Sequence, residues 1–405
     1  MDKQNILFVI GNTENTIGGH TLSAITLAKY LRKRGYVVGL LLSPVPYTVP
    51  ELEDCEVTLH FFKLLPGMGG VLTQPLNILK TVNKYKYDVI IAMDWYAALY
   101  SILAVIRHKL TLVQVIAGGE GPPSDPLDLP GIVVFSEELI NKLSEKGGIP
   151  RENLVYSPGR VDFAFYRNAV VRTSTTNTLN FSQSSPKILV VSRLKFNKAP
   201  AISAFFAQLK EVAKIQHVQC VVIGDGDSRQ VLEDEANKIM TDTENRADIR
   251  FIGSFRVGVE ELLQADLVVG QGRTVLEAIA CNVPAAVSGK NGYFGLITPY
   301  TFYDFASTNF TGRNLKPYSS LSQDLAHLAT IGKEELNQLY ELAYRMYDAS
   351  LGAASIEDAI NQVKTYYEKA QLNRWKLSTI WLIGWLKGFK ELIHRRISRI
   401  FYKGK

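Results

Sequence analysis

Four clusters in this 405-residue chain combine residue types and spacings suited to chemistry, and each follows a short apolar run. The most specific is Gly270-Gln271-Gly272-Arg273-Thr274-Val275-Leu276-Glu277-Ala278. Glycines between a strand and a helix present backbone N–H groups to a phosphate, and Arg273 and Thr274 open the helix at that point. Glu277, one turn further on, is placed to accept hydrogen bonds from ribose hydroxyls. The competing reading makes it a solvent-facing glutamate that answers the helix dipole.

The second cluster is Val191-Ser192-Arg193-Leu194 with Lys198 behind it. Two cations at the carboxyl end of a strand suit a diphosphate: Arg193 can bond two oxygens at once, and Lys198 supplies a point charge. The alternative is a solvated loop with ordinary surface charge. The third, Gly224-Asp225-Gly226-Asp227, contains the D-x-D string that elsewhere holds a divalent metal. Between strand and helix it reads better as turn chemistry, with Asp225 shaping the loop and no metal expected. The fourth is Gly18-Gly19-His20 after the first apolar run. Its glycines permit close approach of a ligand to the backbone. The spacing is not G-x-G-x-x-G and no acid ends the second strand, which argues against a dinucleotide site. His20 is an available imidazole or, equally in keeping with its place, a cap or packing residue.

These clusters need a scaffold that places strand ends and helix starts side by side. Short apolar runs alternate with helical patterns along the chain, which predicts βαβ units, parallel sheets and an α/β fold. In the first half, strands are expected at 5–11, 36–42, 57–62, 87–93, 111–117 and 131–135, and helices at 21–34 and 136–146, with Ser136 capping the latter. Residues 170–186 are rich in Ser, Thr and Asn and read as a linker. The pattern then restarts with strands at 187–191, 218–223, 249–252, 267–269 and 285–288, and helices at 201–215, 229–240, 259–264 and 274–280. The expected domains are 1–169 and 187–353, both Rossmann-like, followed by C-terminal helices over 354–405. Ligands of such folds sit beyond the carboxyl ends of the strands, so a cleft between the halves is the expected site.

In this order and on these elements the motifs resemble retaining glycosyltransferases of family 4, which have the two-domain GT-B fold. The likeness runs from about residue 5 to about residue 313 and is strongest over 187–289. Ser157-Pro158-Gly159-Arg160-Val161-Asp162 is similar to the family's Pro-Asn-Gly-Val-Asp stretch, and Ile252-Gly253 to its strand-end glycine. The resemblance implies that Arg193 and Lys198 hold the donor diphosphate and stabilise the leaving group. It also implies Glu277 at the donor ribose, and Gly18 and Gly19 in the loop facing donor and acceptor. Transfer from a nucleotide diphosphate sugar, a UDP-sugar by expectation, to a glycan or lipid-linked acceptor follows, with no metal or other cofactor. The chain departs from the pattern twice. Val269 stands where the first glutamate of E-x7-E would fall, and Ala117-Gly118-Gly119-Glu120 lacks the family's histidine. Those gaps keep two alternatives open: a catalytically degenerate GT-B partner protein, and a nucleotide-sugar epimerase or hydrolase.

Composition limits the remaining classes. With 46% hydrophobic and 21% charged residues the chain can build sizeable cores. Its three cysteines, Cys55, Cys220 and Cys281, have no CxxC or Cys/His spacing, so buried thiols in a reduced, cytoplasmic compartment are expected. MDKQNILFVIG reads as a first strand rather than a signal peptide, and no apolar run reaches the ~18 residues of a spanning helix. The net charge of +6 is uneven: residues 374–405 carry nine Lys/Arg against Glu391, so the remainder is slightly acidic. Within 375–403, Leu377, Ile380, Trp381, Trp385, Phe389, Leu392, Ile393, Ile397 and Ile400 recur at helical spacing among these cations. This pattern suits attachment to an anionic membrane surface, at the inner face of the cell membrane. The other reading is a helix packed back on the first domain. No nucleic-acid motif accompanies the basic tail, so that partner is not expected.

Overall fold

The runs of Val, Ile and Leu near the start of the chain are buried except at their first residues, Asn5 and Val37, as strands covered on both faces must be. A computed structural model describes residues 4–11, 18–44, 56–61, 68–118, 127, 129, 131–173, 176–182, 185–370, 377–383 and 386. They divide into two compact units, Met1–Arg160 with Ala349–Lys405, and Val161–Asp348.

The first unit runs β1 (Asn5–Val9), α1 (Gly19–Lys33), β2 (Val37–Leu42), β3 (Thr58–Phe61), α2 (Met68–Tyr85), β4 (Val89–Ala92), α3 (Trp95–His108), β5 (Thr111–Ile116), β6 (Ile132–Val134), α4 (Glu137–Asn141) and β7 (Leu154–Tyr156). Its seven-stranded sheet has the order β3-β2-β1-β4-β5-β6-β7, and every pairing is parallel. On one face, Ile25 and Leu31 of α1 pack with Ile6, Phe8 and Val113 of the sheet and with Ile356, Ile360 and Val363. On the other, Leu99 and Ile102 of α3 and Ile78 and Val82 of α2 pack over Leu7, Val9 and Ile90.

Helices α2 and α3 are not among the elements expected from the sequence. α3 is apolar almost all round because it is buried on most of its surface, and α2 carries Pro75 in its interior. The expected helix over 136–146 is real but irregular, passing from α4 into a π-helical turn at Lys142–Lys146. Ser136 stands at the N-cap as expected, yet its hydroxyl makes no cap bond and is buried without a partner.

The second unit contains α5 (Phe163–Arg172), β8 (Lys187–Val191), α6 (Ala199–Ala213), β9 (Val218–Ile223), α7 (Arg229–Asp242), β10 (Ala247–Phe251), α8 (Val259–Leu262), β11 (Leu267–Gly270), α9 (Arg273–Ala280), β12 (Ala285–Gly289), β13 (Gly292–Leu296), α10 (Phe302–Ser307), α11 (Leu321–Leu328) and α12 (Lys333–Tyr347). The sheet order is β10-β9-β8-β11-β12-β13, parallel except for β13, which runs antiparallel beside β12. In both sheets the chain starts centrally, winds outward, then returns to the other side of its first strand. The order reverses between β1 and β4 in the first unit and between β8 and β11 in the second, and such switch points gather ligands.

The stretch 170–186 is not where the units divide. α5 extends to Arg172, and Leu179 and Phe181 are buried in the core of the second unit with Phe163 and Tyr166. Sequence polarity marked this segment, but its own Leu179 and Phe181 and the preceding Phe163 and Tyr166 anchor it to one body. The chain leaves that body after Asp348, and α13 (Ala349–Ala370) packs on α1 and β5 of the first unit.

Part of the basic tail also returns to the first unit. Leu377 is buried in the α2–α3 core, with Ile380 and Trp381 partly buried against it. These three side chains, read from sequence as part of a membrane-facing stripe, cover apolar helix surface instead. Leu382, Ile383 and Leu386 remain exposed. Trp375, Trp385 and 387–405 lie outside the described residues, as does Cys55. Among the described residues no helix is long and apolar enough to cross a membrane.

Candidate functional site

The chemistry-bearing loops of the second unit sit at its switch point. Arg193 and Lys198 lie on the loop from β8 to α6, and Gly270, Gln271 and Gly272 on the turn from β11 to α9, the two strands being direct neighbours. A hydrogen bond joins these loops: Lys198 Nζ donates to Gln271 Oε1 at 2.6 Å. Gln271 Nε2 donates in turn to Ser288 O at 2.7 Å, at the end of β12. Lys198 is half-buried and Arg193 is exposed. Two sequence clusters separated by some seventy residues therefore share one place.

The Arg193 loop has a backbone support. Ser192 N donates to Ile223 O at 3.1 Å, Leu194 N to Asp225 O at 3.0 Å, and Ser228 N to Leu194 O at 2.8 Å. A Cβ on Gly224 would stand 1.8 Å from Ser192 O, and one on Gly226 would stand 2.4 Å from Leu194 O. Only glycine permits this approach. The side chains of the D-x-D string serve the same turn: Asp225 Oδ1 accepts from Gly226 N at 2.8 Å, and Asp227 Oδ1 from Phe196 N at 3.1 Å. Asp225 thus shapes its loop as expected, and among the described residues no three His, Cys, Asp or Glu side chains form a metal-binding group.

Gly272 has φ +58°, a backbone state that side chains disfavour, and its N–H donates to Phe310 O at 3.1 Å. α9 starts at Arg273, which is buried, with Thr274 half-buried beside it. Glu277 is 5% exposed, so it is neither solvent-facing nor a surface dipole partner. Its Oε1 accepts from Arg273 Nε at 2.7 Å and from Arg256 Nη2 at 3.0 Å, and its Oε2 from Arg256 Nη1 at 3.2 Å. Arg256 Nη2 also donates to Tyr166 Oη at 2.7 Å. Burial alone would raise the Glu277 pKa. The charges of Arg256 and Arg273, with hydrogen bonds from Arg256 and Tyr166, outweigh it and hold the carboxyl below its ordinary value. A ribose hydroxyl at Glu277 would have to share oxygens already engaged by two guanidinium groups.

Arg256 and Tyr166 had no local signature. Arg256 follows β10 in an unremarkable Ser-Phe-Arg-Val string, and Tyr166 falls within 1–169, the range expected from sequence to form the other domain. The usable signal was thermodynamic: a glutamate inside a strongly apolar helix needs a cation.

Gly18 and Gly19 belong to the first unit, Gly18 buried at the N-cap of α1 and Gly19 exposed in its first turn. At the neighbouring strand end, Asp94 caps α3 by accepting from Ala97 N at 2.8 Å and also accepts from Gly11 N at 2.7 Å. Burial raises the Asp94 pKa, opposed by these N–H groups and by the charge of His20. Cys220 and Cys281 are buried thiols, and burial raises the pKa of both. A hollow of about 670 Å³ lies at the amino ends of β8 and β11, but its Asp266 is engaged by Lys187 N at 2.9 Å, and it is remote in the fold from the loops above.

Comparison with known proteins connects this arrangement to sugar chemistry. Residues 171–343 match the family model described as glycosyl transferases group 1, and residues 17–119 that described as glycosyltransferase family 4. The chain is 23% identical over 174 residues to a UDP-N-acetylglucosamine–N-acetylmuramyl-(pentapeptide) pyrophosphoryl-undecaprenol N-acetylglucosamine transferase of Buchnera aphidicola, covering 39% of this chain and 48% of that protein. The match thus spans about half of the curated relative. Among solved structures, a glycosyltransferase from Rickettsia africae superposes with TM-score 0.65 at 16% identity, covering 90% of this chain and 99% of its own. HepE of Anabaena in complex with UDP and glucose gives TM-score 0.61 at 18% identity, covering 88% and 99%. UDP-N-acetylglucosamine 2-epimerase from Rickettsia bellii gives 0.58 at 15%, covering 92% and 100%. The fold is GT-B, with two Rossmann-like units.

Proposed function

We propose that this GT-B protein, whose halves match group 1 and family 4 glycosyltransferase models, transfers a sugar from a nucleoside diphosphate donor with retention of configuration. The donor is a UDP-sugar, in line with the UDP that HepE binds and the UDP-sugar named for the curated relative. The observation that carries the reading is the Lys198–Gln271 hydrogen bond at the β8–β11 switch point, which sets an ammonium beside glycine-rich backbone at a helix start.

The chemistry follows from charge. The bond between the anomeric carbon and the β-phosphate oxygen breaks, and its electron pair stays on the phosphate. Arg193 and Lys198 stabilise the charge that grows there, an interaction stronger in the transition state than in the ground state. The acceptor hydroxyl bonds to the anomeric carbon and gives up its proton; with retention it arrives on the face the diphosphate leaves, where the departing phosphate oxygen is a base. Gly270, Gly272, Arg273 and Thr274 supply the donor-side cradle. The acceptor is a glycan or a lipid-linked saccharide, as the lipid-linked acceptor of the curated relative suggests. The basic tail attaches the protein to the inner face of the cell membrane.

The test is transfer with a series of UDP-, GDP-, ADP- and CDP-sugars. Arg193→Ala and Lys198→Ala should each lower turnover by at least about a hundredfold, the scale of losing one charge-stabilising donor. Unchanged turnover would remove the diphosphate assignment. An epimerase shares this architecture. A changed sugar nucleotide formed without any acceptor would decide for that reading.

A further inference from the structure

We propose that Phe310 is a positioning residue for the donor site: its left-handed backbone turns its carbonyl onto the Gly272 N–H and so fixes the turn at which α9 begins. This rests on that turn meeting the donor diphosphate.

Residues other than glycine seldom hold a positive φ, and bulky ones least of all, because Cβ crowds the following carbonyl oxygen. Asn309 at φ +56° and Phe310 at φ +53° do so in succession. The end of α10 explains the first. Asn309 N donates to Ala306 O at 3.0 Å and Phe310 N to Phe305 O at 2.8 Å. Those paired bonds close a helix with one left-handed residue, commonly Gly or Asn. Phe310 lies one residue past that need. Its conformation serves the neighbouring loop instead, where its carbonyl accepts from Gly272 N at 3.1 Å.

The core holds the strained residue in place. The Phe310 ring is fully buried, its centroid 5.7 Å from that of Phe302 and 5.4 Å from that of Tyr347. Thr311 O follows, so close to the end of β12 that a Cβ on Gly289 would come within 2.5 Å of it. The segment therefore bears on two neighbouring strand ends, that of β11 through Gly272 and that of β12 through Gly289. Backbone strain persists only where packing over-determines it, and here the packing aims one carbonyl. α9 starts at the residue after Gly272, so this anchor sets the direction of the first-turn N–H groups offered to phosphate.

Phe310→Leu and Phe310→Ile test this in the full-length protein. The two new side chains are isomers, and only isoleucine, branched at Cβ, strongly opposes a positive φ. Both variants should melt at lower temperature, having lost the ring. Phe310→Ile should also speed hydrogen exchange at the Gly272 amide and bind UDP about tenfold more weakly than Phe310→Leu, by calorimetry, the scale of one hydrogen bond. If Phe310→Ile does not fold, Asn309→Ala against Asn309→Gly makes the same comparison one residue earlier. Both lack the Asn309 side-chain amide, and only alanine resists the left-handed state. Leu339→Ala, a cut elsewhere in the same core, should lower the melting temperature and leave UDP affinity near that of wild type. Equal UDP affinity within the pair that folds would overturn the inference. So would a loss in Leu339→Ala that matches Phe310→Ile. Unchanged UDP binding in both Arg193→Ala and Lys198→Ala would strike the diphosphate reading, and the inference with it. A loss there beside equal affinity within the pair strikes the inference alone.

Discussion

Arg256 closes on Glu277 with two hydrogen bonds, Nη1 to Oε2 at 3.2 Å and Nη2 to Oε1 at 3.0 Å, and both side chains are about nine-tenths buried or more. Arg273 Nε adds a third at 2.7 Å from the first turn of the same helix. One carboxylate thus ties the loop after β10 to the amino end of α9, and through Tyr166 to α5. The resemblance to family 4 puts this glutamate at a ribose. Its first task in this chain is to neutralise guanidinium charge inside the second unit.

Glu277→Gln should therefore destabilise the fold by about 3 kcal/mol at neutral pH, since removing one partner leaves buried charge uncompensated. The glutamate pKa is held below its ordinary value of 4.5, so its ionised form stabilises the folded state. That contribution is fully present above about pH 4.5 and is lost as pH falls through the lowered native value. Urea midpoints of wild type and Glu277→Gln should differ at pH 7 and converge in acid. A variant of unchanged stability whose UDP affinity alone has fallen would restore the ribose as the main partner.

Gly224→Ala tests the support beneath Arg193. The new Cβ would fall 1.8 Å from Ser192 O, and that oxygen is backbone, so the loop itself must move. The expected stability loss exceeds about 1 kcal/mol, as for alanine forced into a glycine conformation. Turnover should fall toward that of Arg193→Ala, while Asp225→Asn, which keeps an acceptor for Gly226 N, should stay near wild type. Full activity in Gly224→Ala would separate this turn from the placement of Arg193.

The strands were legible because the central strands of both sheets are buried on both faces, which turns them into apolar runs such as 188–191 and 220–223. The candidate loops were legible because glycines and cations at strand ends have few structural uses. α3 was not, since it is apolar almost all round and shows no broad polar face, and neither was the division of the units. Residues 170–186 look like a linker by composition, yet Leu179 and Phe181 are core residues whose partners lie some eighty positions away, such as Gln264, which accepts from Leu179 N at 2.9 Å. Arg256 was invisible for the same reason: its meaning lies in Glu277, and no local rule links the two.

The tail divides into a packed part and a charged part. Leu377 is seated in the α2–α3 core, so removing residues 387–405 should leave the melting temperature of the protein unchanged. Those residues carry seven Lys/Arg against Glu391, directly after the exposed side chains of Leu382, Ile383 and Leu386. Near an anionic surface each such cation contributes ~1 kcal/mol, and the apolar side chains add burial in the interface. The full chain should therefore sediment with vesicles containing phosphatidylglycerol and much less with pure phosphatidylcholine. The truncated chain should bind the anionic vesicles at least about tenfold more weakly, and raised salt should weaken the full chain toward the same level. Equal binding of both chains to anionic vesicles would assign the tail to some other partner.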